Sequence, residues 1–249
     1  MGAQGRGTTT GGVAARLRAA RSSSFVGRRG ERDLFAAALA DEVPPFVVLH
    51  VHGPGGIGKT ALLHQLAEDA RGAGRHVVWL DGREVDPSPE GLRTHLAATA
   101  SVAPDEVVDA LARTPGLVLL VDTYESLAPV DGWVRDHLLP QLGQDALVVL
   151  AGRRPPTTAW RDDAAWSELL RVVSLRDLAA EDARALLDAR GVVPDRHAEA
   201  LRVARGHPLA LVLAAEVLGQ QPEDPLELDH PVVVEGLLAR VLRDVPSAD

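Results

Sequence analysis

One segment, residues 53–60, limits what this chain can fold into more than any other part of the sequence. It fits the pattern G-x-x-x-x-G-K-[ST], with a strand-length apolar run before it and an amphipathic helix pattern after it. Glycines let such a loop turn tightly and aim successive N–H groups at phosphate oxygens, beside the positive end of the helix. We therefore expect a phosphate-binding loop (P-loop) whose contacts come from Gly53, Gly55, Gly56, Ile57, Gly58, Lys59, Thr60 and Ala61.

Lys59 is the only lysine among the 26 basic residues of the chain, and all the others are arginines. A lysine ammonium is a flexible point charge that can reach the β- and γ-phosphates, whereas a planar guanidinium fits a glycine-rich nest badly. The common GTPases need an Asn/Thr-Lys-x-Asp motif to select guanine. Since Lys59 already belongs to the phosphate loop, the sequence excludes a standard GTPase.

Strand-length apolar runs alternate with helical patterns over residues 25–176, and only helical patterns follow over residues 177–249. This order predicts an α/β fold, a parallel five-stranded sheet flanked by helices, followed by a small all-helical subdomain. We expect residues 1–24 to form a disordered basic tail that contains at most a short helix over Val13–Arg21. The predicted strands are Phe46–Val51, His76–Leu80, Leu117–Val121, Ala146–Leu150 and one within Leu169–Leu175. The predicted helices are Glu31–Ala40, Lys59–Ala70, Val107–Ala112, Gly132–Leu142, Ala179–Ala189, Ala198–Arg205, Leu209–Leu218 and Val233–Leu242.

Charge and composition exclude several classes of function. The formal net charge is −9, although residues 1–32 hold seven arginines and one glutamate. Because backbone affinity for nucleic acid comes from neutralising phosphates, the acidic body predicts that this part of the protein does not bind nucleic acid. The chain has no cysteine, which excludes disulfides and thiolate zinc sites. With no apolar run of about 18 residues, we expect a cytoplasmic protein that does not enter a membrane.

Two acidic residues lie at the end of the predicted third strand. Asp122 ends the apolar run, and Glu125 follows three residues later. An aspartate at this place can hold Mg²⁺ together with the Thr60 hydroxyl, and a nearby glutamate can orient or deprotonate an attacking water. The sequence therefore predicts Thr60 and Asp122 as the metal ligands.

Two arginines, Arg153 and Arg154, follow the predicted fourth strand directly. Parallel strands end at the same edge of the sheet as the P-loop, where open α/β sheets bind ligands. One of the two can form a charge-assisted hydrogen bond with the γ-phosphate; we favour Arg153 and leave Arg154 open. The predicted catalytic residues are thus Lys59, Asp122, Glu125 and Arg153.

The ordered motifs resemble those of the STAND ATPases. These are AAA+-related signal-transduction ATPases that include the NB-ARC proteins and the large ATP-binding LuxR-type regulators. The resemblance spans about residues 25–243 and rests on the P-loop, the strand ends and two further motifs. These are Phe25-Val26-Gly27-Arg28 followed by Glu31, and Gly206-His207-Pro208-Leu209-Ala210-Leu211.

The resemblance implies ATP or ADP with Mg²⁺ as the ligands and gives roles to further residues. Val26, Gly27 and Arg28 would line the base and ribose, Pro208 would pack on the adenine beside His207, and Arg153 would sense the phosphate. It also implies that a winged-helix region follows residue 249. A regulatory protein or such C-terminal domains would be the partner, and the sequence leaves open whether the module oligomerises on activation.

A third function, an AAA+ loader that acts on DNA as a ring, is disfavoured by the acidic body and by the lack of a convincing trans-acting arginine finger. Two functions remain open from the sequence. The first is an ATP/ADP-binding switch with at most slow Mg²⁺-dependent ATP hydrolysis, whose nucleotide lies between the α/β domain and the helical subdomain. The alternative is a P-loop kinase that transfers the γ-phosphoryl group to a small molecule. A kinase needs a second pocket and leaves the motif at Gly206–Leu211 without a role, so the first function is favoured.

Overall fold

The structure is a computed structural model and describes residues 12–220, 226, 231 and 233–236. The strands are β1 Val48–His52, β2 His76–Asp81, β3 Leu117–Asp122, β4 Leu147–Gly152 and β5 Leu170–Ser174. The helices are α1 Val13–Ser23, α2 Arg29–Ala40, α3 Lys59–Gly72, α4 Pro89–Ala100, α5 Val107–Ala112, α6 Asp131–Trp133, α7 Thr158–Asp162, α8 Ala164–Leu169, α9 Ala180–Ala189, α10 Pro194–Ala204 and α11 Pro208–Gln220.

The five strands form one parallel sheet in the order β2-β3-β4-β1-β5, which confirms the predicted fold class. In register, Val48 of β1 lies beside Val148 of β4, and Asp81 of β2 lies beside Asp122 of β3. Every residue of β3 and β4 is buried, as expected for central strands covered on both faces. All five strands therefore end at one edge, where the P-loop begins.

Helices cover both faces of the sheet, and the strand residues alternate between two hydrophobic clusters. Val118 and Leu120 of β3 pack with α2 and α3, whereas Leu119 and Val121 pack on the opposite face with α4 and α5. This alternation follows from the two-residue period of a strand. It fixes α3, and therefore the P-loop, on one face of the sheet.

A third hydrophobic cluster belongs to α9, α10 and α11, which correspond to three of the four helices predicted after residue 177. Helix α10 begins at Pro194, earlier than predicted, because proline suits the first position of a helix. The predicted helix Val233–Leu242 has helical backbone at residues 233–236, and residues 237–242 lie outside the described residues. In the part of the chain that the structure describes, no helix has both the length and the apolar character needed to cross a membrane.

The short helix predicted over Val13–Arg21 is present as α1, which ends at Ser23, and two other elements differ from the sequence-based expectation. Helix α1 is held on α3 by polar contacts, and residues 1–11 lie outside the described residues. Ser22 Oγ donates to Gln65 Oε1 at 2.9 Å, and Arg18 Nε lies 3.6 Å from Glu68 Oε1. Helix α4 was not predicted. The segment predicted as the helix Gly132–Leu142 combines α, π and 3₁₀ turns.

Candidate functional site

The P-loop connects the end of β1 to the start of α3, as its motif predicts. Gly56 and Gly58 have φ angles of +78° and +98°, a region of backbone space that favours glycine. A Cβ atom at Gly55 would lie 3.1 Å from an Arg153 guanidinium nitrogen. The loop glycines therefore allow both its turns and the close approach of an arginine from the neighbouring strand β4.

Lys59 is the first residue of α3, and its ammonium group lies against the P-loop itself. Its Nζ donates to the Gly53 carbonyl oxygen at 2.7 Å and to the Pro54 carbonyl oxygen at 3.0 Å. The side chain also lines the cleft described below. Because the stem of a lysine is flexible, the same ammonium can turn towards an anion in that cleft.

Thr60 and Asp122 meet although 62 positions separate them in the sequence. The Thr60 hydroxyl donates to Asp122 Oδ2 at 2.7 Å, and the Thr123 N–H donates to Asp122 Oδ1 at 2.9 Å. Asp122 is only 3% exposed. The structure thus brings the two predicted metal ligands into direct contact at the edge of the sheet.

Glu125 and Arg153 also meet at this edge. The Arg153 N–H donates to Glu125 Oε2 at 3.1 Å, and the Arg153 Nε lies 3.4 Å from Glu125 Oε1. Both residues line the cleft, whereas Arg154 is exposed to solvent. This placement favours Arg153 over Arg154 as the arginine that faces a ligand.

Arg28 joins the P-loop to the segment that follows β5. It has a left-handed backbone (φ +58°), and its Nη2 donates to the Ile57 carbonyl oxygen at 2.9 Å and to the Arg176 carbonyl oxygen at 2.7 Å. Burial lowers the pKa of Arg28, and nearby Glu31 opposes this shift. Arg28 lines the cleft, but its guanidinium is committed to main-chain carbonyls. The base-and-ribose role that the resemblance implies for it stays a prediction.

The two residues before Arg28 in its motif, Val26 and Gly27, lie next to the helical subdomain. Val26 is partly buried against the hydrophobic cluster of α9–α11 and lines the cleft. Gly27 has a φ of +71°, and a Cβ atom there would lie 2.6 Å from Asp182 Oδ2 of α9. The motif therefore connects the α/β part of the chain with the helical part.

His207 directly precedes α11 and Pro208 is its first residue, and this start of the helix lies against the P-loop. His207 Nε2 lies 3.2 Å from the Gly55 carbonyl oxygen, and the Leu209 N–H donates to the Gly56 carbonyl oxygen at 3.3 Å. Pro208, Leu209 and Val212 line the cleft. The structure thus brings the late sequence motif and the P-loop to one place.

The cleft between these elements has a volume of about 870 Å³, near the upper end of the ~300–1,000 Å³ range typical of small-molecule sites. It includes residues that the sequence did not single out. Arg83 follows the end of β2, where the strand-end rule would have found it. Trp79 lies within β2, and His64 stacks on it with ring centroids 4.5 Å apart. Further lining residues are Arg18 and Arg21 of α1, Leu178, and Leu186 and Arg190 of the helical part.

No protein-family model matches the sequence, and neither does any curated protein. Solved structures do resemble it. A DNA replication initiation factor has a TM-score of 0.58 at 14% identity, over 80% of this chain and 64% of its own. ORC1 of Aeropyrum pernix, in complex with DNA, has a TM-score of 0.53 at 20% identity, over 92% of this chain and 69% of its own. A RuvB variant of Thermotoga maritima has a TM-score of 0.51 at 19% identity, over 86% of this chain and 70% of its own.

The chain has the AAA+ P-loop ATPase fold. This agrees with the AAA+-related part of the resemblance and leaves the STAND and NB-ARC assignment as a prediction. One of the similar structures is a complex with DNA. Our expectation that this chain does not bind nucleic acid therefore gains no support from the comparison.

Proposed function

We propose that this AAA+-fold chain is an ATP- and ADP-binding switch module of the STAND class, with its α/β domain over residues 25–176 and its helical subdomain after residue 176. One observation carries the proposal. Pro208 and Leu209 of the helical part line the same cleft as Lys59, Thr60 and Asp122. A nucleotide with its phosphates on the P-loop would then contact both parts of the chain.

The residues at the edge of the sheet suit Mg²⁺. Within the described residues, no group of three or more His, Cys, Asp or Glu side chains could form a metal cage made of protein alone. Mg²⁺ is bound mainly by one or two protein oxygens, substrate phosphates and water, and Thr60 and Asp122 supply such a pair. When bound, the ion would neutralise charge on the β- and γ-phosphates.

Arg153 is well placed to distinguish ATP from ADP. Its guanidinium lies next to Glu125 and close to Gly55 of the P-loop, so it can exchange the carboxylate for a terminal phosphate. The exchange would also free Glu125 to orient a water. In the present arrangement both carboxylate oxygens of Glu125 contact Arg153, which supports slow hydrolysis at most.

A switch also requires that the two nucleotides stabilise different arrangements of the two parts, because a ligand shifts an equilibrium only by its differential affinity. Arg153 on the α/β side and Pro208 on the helical side provide contacts that can differ in this way. We infer that a regulatory protein, or further domains of the same parent chain, receives the change, and that activation involves oligomerisation in the cytoplasm.

One observation favours the kinase alternative. One end of the cleft lining has the stacked rings of His64 and Trp79, and the lining also includes the cations Arg21 and Arg83. A stacked pair of rings and two cations can hold a planar, anionic acceptor beside the terminal phosphate. A kinase would use this end of the cleft, whereas a switch has no need of it.

Nucleotide identification and turnover separate these functions. The purified chain is denatured, and any released nucleotide is identified by chromatography, with the fold of each sample checked beforehand by circular dichroism. Co-purified ADP with slow basal turnover supports the switch. A small metabolite that strongly increases ADP production would replace the switch with the kinase.

A further inference from the structure

The outer surface of the P-loop is held by hydrogen bonds from other parts of the chain. Three successive carbonyl oxygens accept them: Gly55 from the His207 ring, Gly56 from the Leu209 N–H and Ile57 from the Arg28 guanidinium. The distances are 3.2, 3.3 and 2.9 Å. Two of the three donors belong to the start of α11, so the helical part is hydrogen-bonded directly to the loop.

The geometry defines the role of the His207 ring. A carbonyl oxygen only accepts, so Nε2 must carry the hydrogen that is shared with Gly55. Nδ1 is then the acceptor, and the Ala210 N–H donates to it at 3.4 Å. One neutral tautomer therefore caps the N-terminus of α11 and bonds to the P-loop at the same time.

Close packing reinforces these bonds. A Cβ atom at Gly56 would lie 2.8 Å from Leu209 Cβ and 2.9 Å from His207 Cε1. At this position, only glycine lets the loop and α11 approach so closely, and its φ of +78° adds a second reason. The contact therefore depends on the shape of the P-loop as well as on single hydrogen bonds.

Phosphate and α11 would act on opposite ends of the same peptide groups. The carbonyl groups of Gly55 and Ile57 belong to the peptide units that carry the N–H groups of Gly56 and Gly58. A phosphate at the N–H side and a donor at the C=O side polarise a peptide unit in the same direction, so each strengthens the other. Phosphate binding and docking of α11 on the loop must then favour each other by the same free energy.

We propose that His207 is a positioning residue that couples the helical subdomain to the phosphate-loaded P-loop directly, without the base of the nucleotide as intermediary. This deepens the switch function and rests on it. The helical part would respond to phosphate on the loop through the bonds to Gly55 and Gly56, while Pro208 would respond to the base. A ligand with phosphates and no base should then still tighten α11.

Inorganic pyrophosphate with Mg²⁺ is the probe that separates the two routes. Amide hydrogen exchange is followed at Leu209 and Ala210, and occupancy of the P-loop is read from the amides of residues 58–61. Each protein is compared at saturating pyrophosphate, at saturating ADP and without ligand. In the wild-type chain, both ligands should slow exchange at Leu209 by about 3- to 10-fold, the size of one net hydrogen bond.

Two substitutions of His207 form a matched pair. His207→Asn keeps a side-chain acceptor that caps α11, but its amide NH₂ is too short to reach the Gly55 carbonyl, whereas the amide NH₂ of His207→Gln has a reach similar to that of Nε2. We expect His207→Asn to abolish the slowing of exchange by pyrophosphate and to weaken pyrophosphate binding by about 3- to 10-fold. His207→Gln should restore most of both, and the exposed His137→Ala should behave as wild type.

Each outcome decides one proposal. If ADP slows exchange at Leu209 and pyrophosphate occupies the loop without doing so, the helical part responds only through the base and the direct coupling is wrong. The direct coupling is also wrong if saturating pyrophosphate does not slow exchange of the loop amides while ADP does. It is wrong as well if exchange at Leu209 slows in His207→Asn as much as in the wild-type chain. If neither ligand protects the loop of the wild-type chain, the nucleotide switch itself is wrong as well.

Discussion

Arg153 and Glu125 hold each other at the carboxyl end of the sheet. The Arg153 main-chain N–H bonds to one oxygen of the Glu125 carboxylate, and its Nε lies 3.4 Å from the other. A Cβ atom at Gly152 would lie 3.1 Å from the same carboxylate, so the glycine before Arg153 makes room for it. In the proposed function, this pairing occupies both Glu125 oxygens and leads us to expect slow ATP hydrolysis at most.

Arg153→Ala should weaken the binding of ATP by about 10- to 100-fold, because a hydrogen bond to a charged group contributes about 1.5–3 kcal/mol. The affinity for ADP should change by less than about 3-fold, since ADP lacks the phosphate that Arg153 would contact. Titration calorimetry with Mg²⁺ present measures both. The exposed Arg154→Ala is the control; equal losses of ATP and ADP affinity in Arg153→Ala would count against its role as a phosphate sensor.

Pro208→Ala should weaken ATP and ADP alike, by about 3- to 10-fold, because it removes an apolar surface of roughly 1 kcal/mol from the base side of the cleft. Pro194→Ala is a matched control, since Pro194 also begins a helix and is exposed. The affinities are measured as for Arg153. A loss confined to ATP would show that Pro208 does not face the base.

Much of this arrangement could be predicted from the sequence, because periodic apolar runs decide which elements form. All five strands were predicted to within two residues at each end. The sequence also predicted that Asp122 and Arg153 lie at the same edge of the sheet as the P-loop. Helix α1 was predicted except for its last two residues, but its position on α3 was not, because no residue of it is buried and its contacts, such as Ser22 with Gln65, are polar and long-range. The bond of His207 to the Gly55 carbonyl was beyond prediction, because 152 positions separate the two residues and no motif pairs a histidine with a carbonyl of the P-loop.

His50 should make the protein less stable in mild acid. It is 3% exposed, and burial lowers its pKa to about 4; His52 lowers the pKa further and Asp131 opposes the shift. Its Nδ1 has no hydrogen-bond partner among the described residues. Because the unfolded chain takes up a proton near pH 6.5 and the folded chain only near pH 4, the stability present above pH 6.5 is lost as the pH falls between these values.

The expected loss is about 2 kcal/mol between pH 8 and pH 5, from the separation of the two pKa values. Urea unfolding at several pH values measures it. In His50→Gln, which does not titrate, the pH dependence should be shallower by this amount. Parallel pH profiles for the two proteins would show that His50 does not stay neutral in the folded chain.

Asp131 should be important for stability because it satisfies two partly enclosed donors. Its Oδ1 accepts from the Tyr124 hydroxyl at 2.7 Å and from Trp160 Nε1 at 2.8 Å. Asp131→Leu should cost about 2–4 kcal/mol and lower Tm by roughly 5–15 °C, because both donors lose their acceptor. The exposed Asp136→Leu, whose carboxylate pairs with Arg135 at the surface, should shift Tm by less than about 2 °C. Similar shifts for both variants in thermal unfolding would contradict this.

Nucleotide-dependent thermal stabilisation tests whether the cleft binds ATP or ADP at all. At about 100 times Kd, a ligand adds roughly 2.7 kcal/mol to the free energy of unfolding, which corresponds to a rise in Tm of about 5–11 °C for a chain of this size. We predict this rise for the wild-type chain with ADP or ATP and Mg²⁺, and a rise below about 1 °C for Lys59→Met, which keeps the side-chain length without the charge. An unchanged Tm in the wild-type chain, or an equal rise in a folded Lys59→Met protein, would contradict the proposed nucleotide site.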